Sequence, residues 1–199
     1  MNIVVIKYNA GNVQSVLFAL ERIGITASVS DDPEVIQNAD KVILPGVGEA
    51  GSAMKYLMEI GLDKTIRSLC QPVLGICLGL QLLCRHSEEG NAECLGIFDT
   101  DVKKLKSPTD GINKFKIPHT GWNTIAGLKS DLFKNIPENS YMYFVHSYYA
   151  EMGINDISTT DYTLNFSSAL QKDNFYAVQF HPEKSGADGQ KLLENFIKL

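Results

Sequence analysis

Four short apolar runs lie within the first 80 residues, at 2–7, 25–29, 42–44 and 73–76, and each is followed by helical spacing or helix-start chemistry. A β-then-α unit repeated in this way leaves the chain few options. Successive strands lie parallel, crossovers are right-handed, and helices cover both faces of one sheet. The first crossover has Val13, Val16, Leu17, Leu20 and Ile23 on one helical face, with Gly24 as its stop. In the second, Ser30-Asp31-Asp32-Pro33 places a capping residue before proline, ahead of a short helix over 34–38. The third is a longer helical region, about 52–69, broken near Gly61. Sites in such sheets form at the carboxyl ends of the strands. Two segments fall there: Pro45-Gly46-Val47-Gly48 and Gly75-Ile76-Cys77-Leu78-Gly79.

The second segment reads as a nucleophile elbow with cysteine in the place of serine. An apolar strand arrives, small residues flank the thiol, and a helical pattern leaves through Leu80, Leu83 and Cys84. The tight turn lifts the sulfur above the sheet and aims it at the first turn of the helix, whose free N–H groups stabilise a thiolate. A buried structural cysteine is the competing reading of this stretch taken alone.

Beyond residue 95 the alternation gives way to strands, expected over 98–105, 114–117, 122–125, 141–150 and 164–171. Pro108 and Gly111 punctuate the link between the first two, and 131–135 reads as a single helical turn. Asp173-Asn174 turns the chain into a strand over 175–180, and Leu192, Leu193, Phe196 and Ile197 mark a final amphipathic helix. No repeat or linker interrupts the 199 residues, so one domain over 1–199 with a mixed sheet is expected.

A thiol nucleophile needs a base close in space. Of the four histidines, His86 lies among charges, and His119 and His146 lie in the strand-rich half. His181 ends the strand before Pro182-Glu183. In extended chain, residues two apart point the same way, so Glu183 can orient the imidazole of His181 as the third member of a triad.

Composition narrows the partners. A net charge of -5 opposes nucleic-acid binding, which needs a basic face. No apolar run reaches the length of a membrane span, and residues 1–6 read as a strand rather than a signal peptide. The four cysteines form neither a Cys-x-x-Cys pair nor a zinc pattern with the histidines. The expectation is a cytoplasmic enzyme with reduced thiols, no metal and no cofactor.

Gly75-Ile76-Cys77-Leu78-Gly79-Leu80-Gln81 followed by Gln179-Phe180-His181-Pro182-Glu183 resembles the class I glutamine amidotransferase family. The segments Gly11-Asn12-Val13-Gln14-Ser15-Val16, Pro45-Gly46-Val47-Gly48, Pro118-His119-Thr120-Gly121-Trp122-Asn123 and Tyr143-Phe144-Val145-His146-Ser147-Tyr148 are similar to its branch of glutaminase subunits of imidazole glycerol phosphate synthase. The resemblance implies an α/β fold: a single class I glutamine amidotransferase domain, with a central, mostly parallel sheet, flanking helices and an antiparallel strand-rich region. It implies that Cys77, His181 and Glu183 hydrolyse L-glutamine through a thioester, with N–H groups of Leu78 and Val47 stabilising the oxyanion. It further implies substrate contacts at Gly48, Gln81, Ser147 and Tyr148. The partner implied is a (β/α)8-barrel cyclase that forms a heterodimer with the subunit, receives ammonia through a channel and meets Asn12, Trp122, Tyr143 and Lys184. Asn9 and Glu49 depart from the usual residues of the branch near the partner face and the oxyanion loop. A paralogous glutaminase feeding a sugar amidotransferase, a thiol hydrolase or peptidase of similar fold, and a non-enzymatic interaction module are the alternatives.

Overall fold

A computed structural model describes residues 1–9, 11–107 and 115–199. The amino-terminal half runs β1 (Ile3–Ile6), α1 (Val13–Arg22), β2 (Ser28–Ser30), α2 (Pro33–Gln37), β3 (Lys41–Leu44), α3 (Ala50–Glu59), α4 (Leu62–Arg67), β4 (Val73–Ile76) and α5 (Leu78–Leu83). Short strands β5 (His86–Ser87), β6 (Ala92–Glu93) and β7 (Asp101–Lys104) follow, then β8 (His119–Thr124) and β9 (Tyr141–His146). The chain ends with β10 (Tyr148–Ala150), β11 (Asp156–Asp161), β12 (Asn165–Lys172), β13 (Phe175–Val178) and α6 (Gly186–Lys198).

The main sheet has the order β2-β1-β3-β4-β13-β12-β10-β7-β5-β6, with β11 also on β12. Strands β2, β1, β3, β4 and β13 are parallel, and the pairings of β12 with β13, β10 and β11 are antiparallel. Both faces of β1, β3 and β4 are buried, and the period of two sorts their side chains. Val4, Ile6, Val42, Leu44 and Val73 pack with Met54, Leu57, Leu62, Ile66 and Leu80 from α3–α5. Ile3, Val5, Ile43, Leu74 and Ile76 pack with Val16 and Leu20 of α1 and Leu192 and Phe196 of α6. The helices expected over 34–38 and 52–69 are present, the latter divided at Gly61, which has φ +74.

Several boundaries differ from expectation. The run expected over 25–29 pairs as a strand only from Ser28, and that over 98–105 is reduced to Asp101–Lys104. Residues 141–150 form two strands, not one. The chain leaves β9, which pairs with β8 in a separate two-stranded sheet, and enters the main sheet as β10 after a break at Ser147. Residues 115–117 carry no strand, whereas Lys114, Pro108 and Gly111 lie outside the described residues. Strand β11, Asp-Ile-Ser-Thr-Thr-Asp, was not anticipated because it lacks apolar alternation. Its buried hydroxyls are satisfied instead: Ser158 Oγ pairs with Ser168 Oγ at 2.8 Å, and Thr160 Oγ1 donates to the Thr124 carbonyl at 2.9 Å. Among the described residues, no helix is long and apolar enough to cross a membrane.

Candidate active site

The elbow is built by close packing. Cys77 occupies a backbone conformation, φ 54 and ψ -104, that side chains rarely adopt and that costs about 1–3 kcal/mol. Hydrogen bonds hold it there: its N–H donates to the Val178 carbonyl at 2.8 Å, and its carbonyl accepts from Leu80 and Gln81 at 3.0 and 3.3 Å. A Cβ at Gly79 would stand 2.0 Å from the Leu44 carbonyl oxygen, so α5 reaches β3 only with glycine at that position. Gly79→Ala is therefore expected to lower the urea-unfolding free energy by about 3 kcal/mol or more. A loss under 1 kcal/mol would show that the elbow tolerates displacement.

Parallel pairing of β13 with β4, Val178 opposite Ile76, delivers His181 to the same sheet edge as Cys77. His181 Nδ1 and Glu183 Oε1 are 2.7 Å apart, both side chains fully buried. Burial opposes protonation of the imidazole, but the Cys77 sulfur and the Glu183 carboxylate outweigh it and push its pKa up to about 10. The remaining nitrogen, Nε2, is buried and has no partner at ideal hydrogen-bonding geometry, which leaves it for the Cys77 sulfur. Glu183 is held in turn. Asn12 Nδ2 donates to Glu183 Oε1 and lies 3.4 Å from His181 Nδ1, while Arg22 donates to the Glu183 carbonyl at 3.2 Å. Asn12, expected only at a partner surface, thus touches two members of the expected triad.

Pro45-Gly46-Val47-Gly48 borders the sulfur. Tyr8, buried beneath it, donates its hydroxyl to the Pro45 carbonyl at 2.6 Å, and a Cβ at Gly46 would meet that hydroxyl at 2.2 Å. The Leu78 N–H, an expected oxyanion donor, is engaged with the Gly46 carbonyl at 3.3 Å. Because C=O and N–H of a trans peptide point oppositely, the Val47 N–H of the same unit is turned away from Leu78. Glu49 caps α3 by accepting from the N–H groups of Gly51 and Ser52.

A cavity of about 230 Å³ opens beside Cys77, and Gly48, Gln81, Ser147 and Tyr148 all line it. Glu89 lines it too and was not anticipated. Its carboxylate accepts from the Ala50 N–H at 2.9 Å, and burial, with Glu49 nearby, raises its pKa despite that bond. Only its place six residues after Leu83, in a charged turn, marked it in the sequence. Among the described residues, no cluster of three or more His, Cys, Asp or Glu could hold a metal.

His146 also lines the cavity; its Nε2 is 3.0 Å from His119 Nδ1, and its Nδ1 lies 2.8 Å from the Tyr148 carbonyl. Desolvation lowers the pKa of His119 to about 4 and that of His146 to about 3. These are below the unfolded value near 6.5, so neutral imidazoles stabilise the fold above that pH and the contribution disappears as pH falls towards 4. At pH 5 the cost is about 2 kcal/mol per imidazole. Urea unfolding at pH 7 and pH 5 measures it; His119→Gln should shrink the difference, and equal stability at both values would refute the assignment.

Of the other expected partner contacts, Lys184 is exposed on the turn after His181, and Trp122 is 54% exposed. Trp122 meets half-buried Tyr143 edge-to-face at 6.0 Å. The Tyr143 carbonyl accepts from the His181 N–H at 2.8 Å, joining this surface to the site.

A strand-end thiol, a buried imidazole–carboxylate pair and a small cavity coincide with a family-level match. The model of the family described as "Glutamine amidotransferase class-I" matches residues 4–199, and the chain belongs to that family. More specific relatives are subunits named imidazole glycerol phosphate synthase subunit HisH. Those of Bacteroides fragilis and Bacteroides thetaiotaomicron are 57% and 53% identical over 199 residues, and that of Buchnera aphidicola is 44% identical over 201, each alignment covering both chains in full. Among solved structures, PurLQS from Thermotoga maritima superposes with a TM-score of 0.71 at 19% identity, covering 99% of this chain and 97% of that one. A glutamine amidotransferase structure gives 0.71 at 18%, with 98% and 97% covered. Both agree in fold.

Proposed function

We propose that this chain is the glutaminase subunit of an imidazole glycerol phosphate synthase and passes ammonia to a (β/α)8-barrel cyclase subunit in histidine biosynthesis. The reading is supported by the His181–Glu183 pair, delivered to the sheet edge where Cys77 borders the cavity, in a chain that aligns over its full length with HisH subunits. Residues 1–199 act as one domain, since the same sheet contains strands from both halves of the chain. Four free cysteines suit a reducing compartment, and we place the enzyme in the cytoplasm.

In the reaction, His181 takes the Cys77 proton and the sulfur attacks the side-chain amide carbon of glutamine. The tetrahedral intermediate collapses as the C–N bond breaks and His181 returns the proton to the departing nitrogen, giving ammonia and a γ-glutamyl thioester. Water, deprotonated by His181, then attacks the thioester, releasing glutamate and regenerating the thiol. Glu183 and Asn12 hold the imidazole. Gly48, Gln81, Ser147 and Tyr148 bind the amino-acid end of glutamine, and the Glu89 carboxylate offers a counter-charge to its ammonium. Asn12, Trp122, Tyr143 and Lys184 form the partner face.

The test is glutamate release from glutamine by the purified chain, alone and with the cyclase subunit and its ribotide substrate. Stimulation by the cyclase is expected. Stimulation only by a sugar amidotransferase would move the chain to the paralogous branch, and no turnover under any condition would defeat the glutaminase reading.

A further inference from the structure

We propose that Gln179 is a positioning residue of this site, its amide fixing the orientation of Gln81 while holding an N–H against the Cys77 sulfur. The proposal rests on the glutaminase reading and adds to it a residue outside the expected triad, oxyanion and substrate sets.

The directions of the hydrogen bonds follow from one group. The Tyr148 carbonyl can only accept, so Gln81, 3.0 Å away, must present its amide nitrogen there. The same nitrogen lies 3.0 Å from Gln179 Oε1, so both Gln81 N–H groups are used. Gln81 is left to offer its oxygen to the cavity it lines, and no described residue donates to that oxygen. An acceptor in that position suits the ammonium of an amino acid; a rotated amide would meet it with N–H instead.

With its oxygen committed to Gln81, Gln179 must turn its NH2 group the other way. There it lies 3.6 Å from the Cys77 sulfur. A neutral N–H donor at this point favours negative charge on sulfur without competing for the His181 proton. The side chain has no freedom to do otherwise: it is fully buried, and its backbone N–H is tied to the Ser168 carbonyl at 2.9 Å at the end of β13. One amide therefore couples the nucleophile to the residue facing the substrate's amino group. Truncating either amide alone leaves a buried polar group of the other unsatisfied, so the two act as a pair.

The test combines two readouts on Gln179→Met, Gln81→Met and the double variant. The first is the preference for glutamine over 4-carbamoylbutanoate, the analogue lacking the amino group, measured as kcat/KM in the partner-stimulated complex. The second is the pH midpoint of Cys77 alkylation by iodoacetamide, followed by mass spectrometry on the Cys77 peptide. Gln179→Met should lower the preference about tenfold and raise the midpoint by about one pH unit. In the Gln81→Met background it should leave the preference unchanged and still raise the midpoint, the non-additivity expected of one network. Gln179→Glu keeps an oxygen facing Gln81, so it should preserve the preference and raise the midpoint; it carries the test if Gln179→Met does not fold. A wild-type midpoint in either Gln179 variant overturns the proposal. So does an unchanged preference in Gln179→Met. Wild-type protein that hydrolyses neither compound would defeat the glutaminase reading, and the alkylation midpoint would still judge Gln179.

Discussion

Cys77→Ala is expected to reduce partner-stimulated glutamine hydrolysis by about 10⁴- to 10⁶-fold. Members of a nucleophilic triad act as a unit, so deletion of the nucleophile costs nearly as much as deletion of the whole set. His181 and Glu183 have no attacking group to serve without the sulfur, and the residual rate reflects binding and water alone. The loss should fall on kcat, because Gln81, Ser147 and Tyr148 still line the cavity. Stability should fall only modestly, by about 1–3 kcal/mol: the buried Gln179 amide loses its sulfur acceptor at 3.6 Å, while alanine meets the same backbone strain at φ 54. Steady-state glutamate release and a thermal melt settle both points. A variant retaining a tenth of the activity would mean that the nucleophile lies elsewhere.

The second large effect is the ratio of stimulated to basal turnover. The Leu78 N–H is bound to the Gly46 carbonyl, and the Val47 N–H of that same peptide faces away. The resting site thus does not present the two donors proposed for a tetrahedral oxyanion. Each such donor is worth about 10²- to 10³-fold in kcat. A rotation of the Gly46–Val47 peptide would free the first and deliver the second, and Gly46 and Gly48, at φ +129, flank Val47 with residues that tolerate it. Adding the cyclase and its ribotide should accordingly raise glutamine hydrolysis by about 10³-fold, chiefly in kcat rather than KM. A chain equally active alone and in complex would show that the oxyanion is stabilised by other groups.

The parallel half of this architecture was legible because its signals are local. Burial on both faces makes β1, β3 and β4 continuous apolar runs, and Asp32-Pro33 and Gly61 punctuate the helices between them. The elbow and His181-Pro182-Glu183 were legible as motifs, but the expected reason for the second was wrong: residues 182–184 form a 3-10 turn rather than extended chain, and the turn brings Glu183 back to the imidazole. What escaped was long-range. Asn12 reaches Glu183 across 171 positions, and Glu89 enters the cavity through a bond to Ala50. Gln179 was read as part of a motif, but its two amide contacts are with residues about 100 positions away. The break at Ser147 is a single bend inside a continuous aromatic run, and one serine there does not announce the change of sheet.

The place of β13 has a consequence for how the chain comes to be folded. This strand sits between β4 and β12 at the centre of the sheet, yet its four residues, 175–178, follow those of β4, 73–76, only after most of the other strands. Until they arrive, β4 carries an unpaired edge and Cys77 has no Val178 carbonyl to hold it in its strained conformation. Such a topology is rich in non-local contacts and slow to form. The nascent chain meanwhile exposes an apolar parallel edge suited to pairing with a neighbour. Thiol and base are consequently assembled by the same late event, so no partly made chain carries a competent hydrolase.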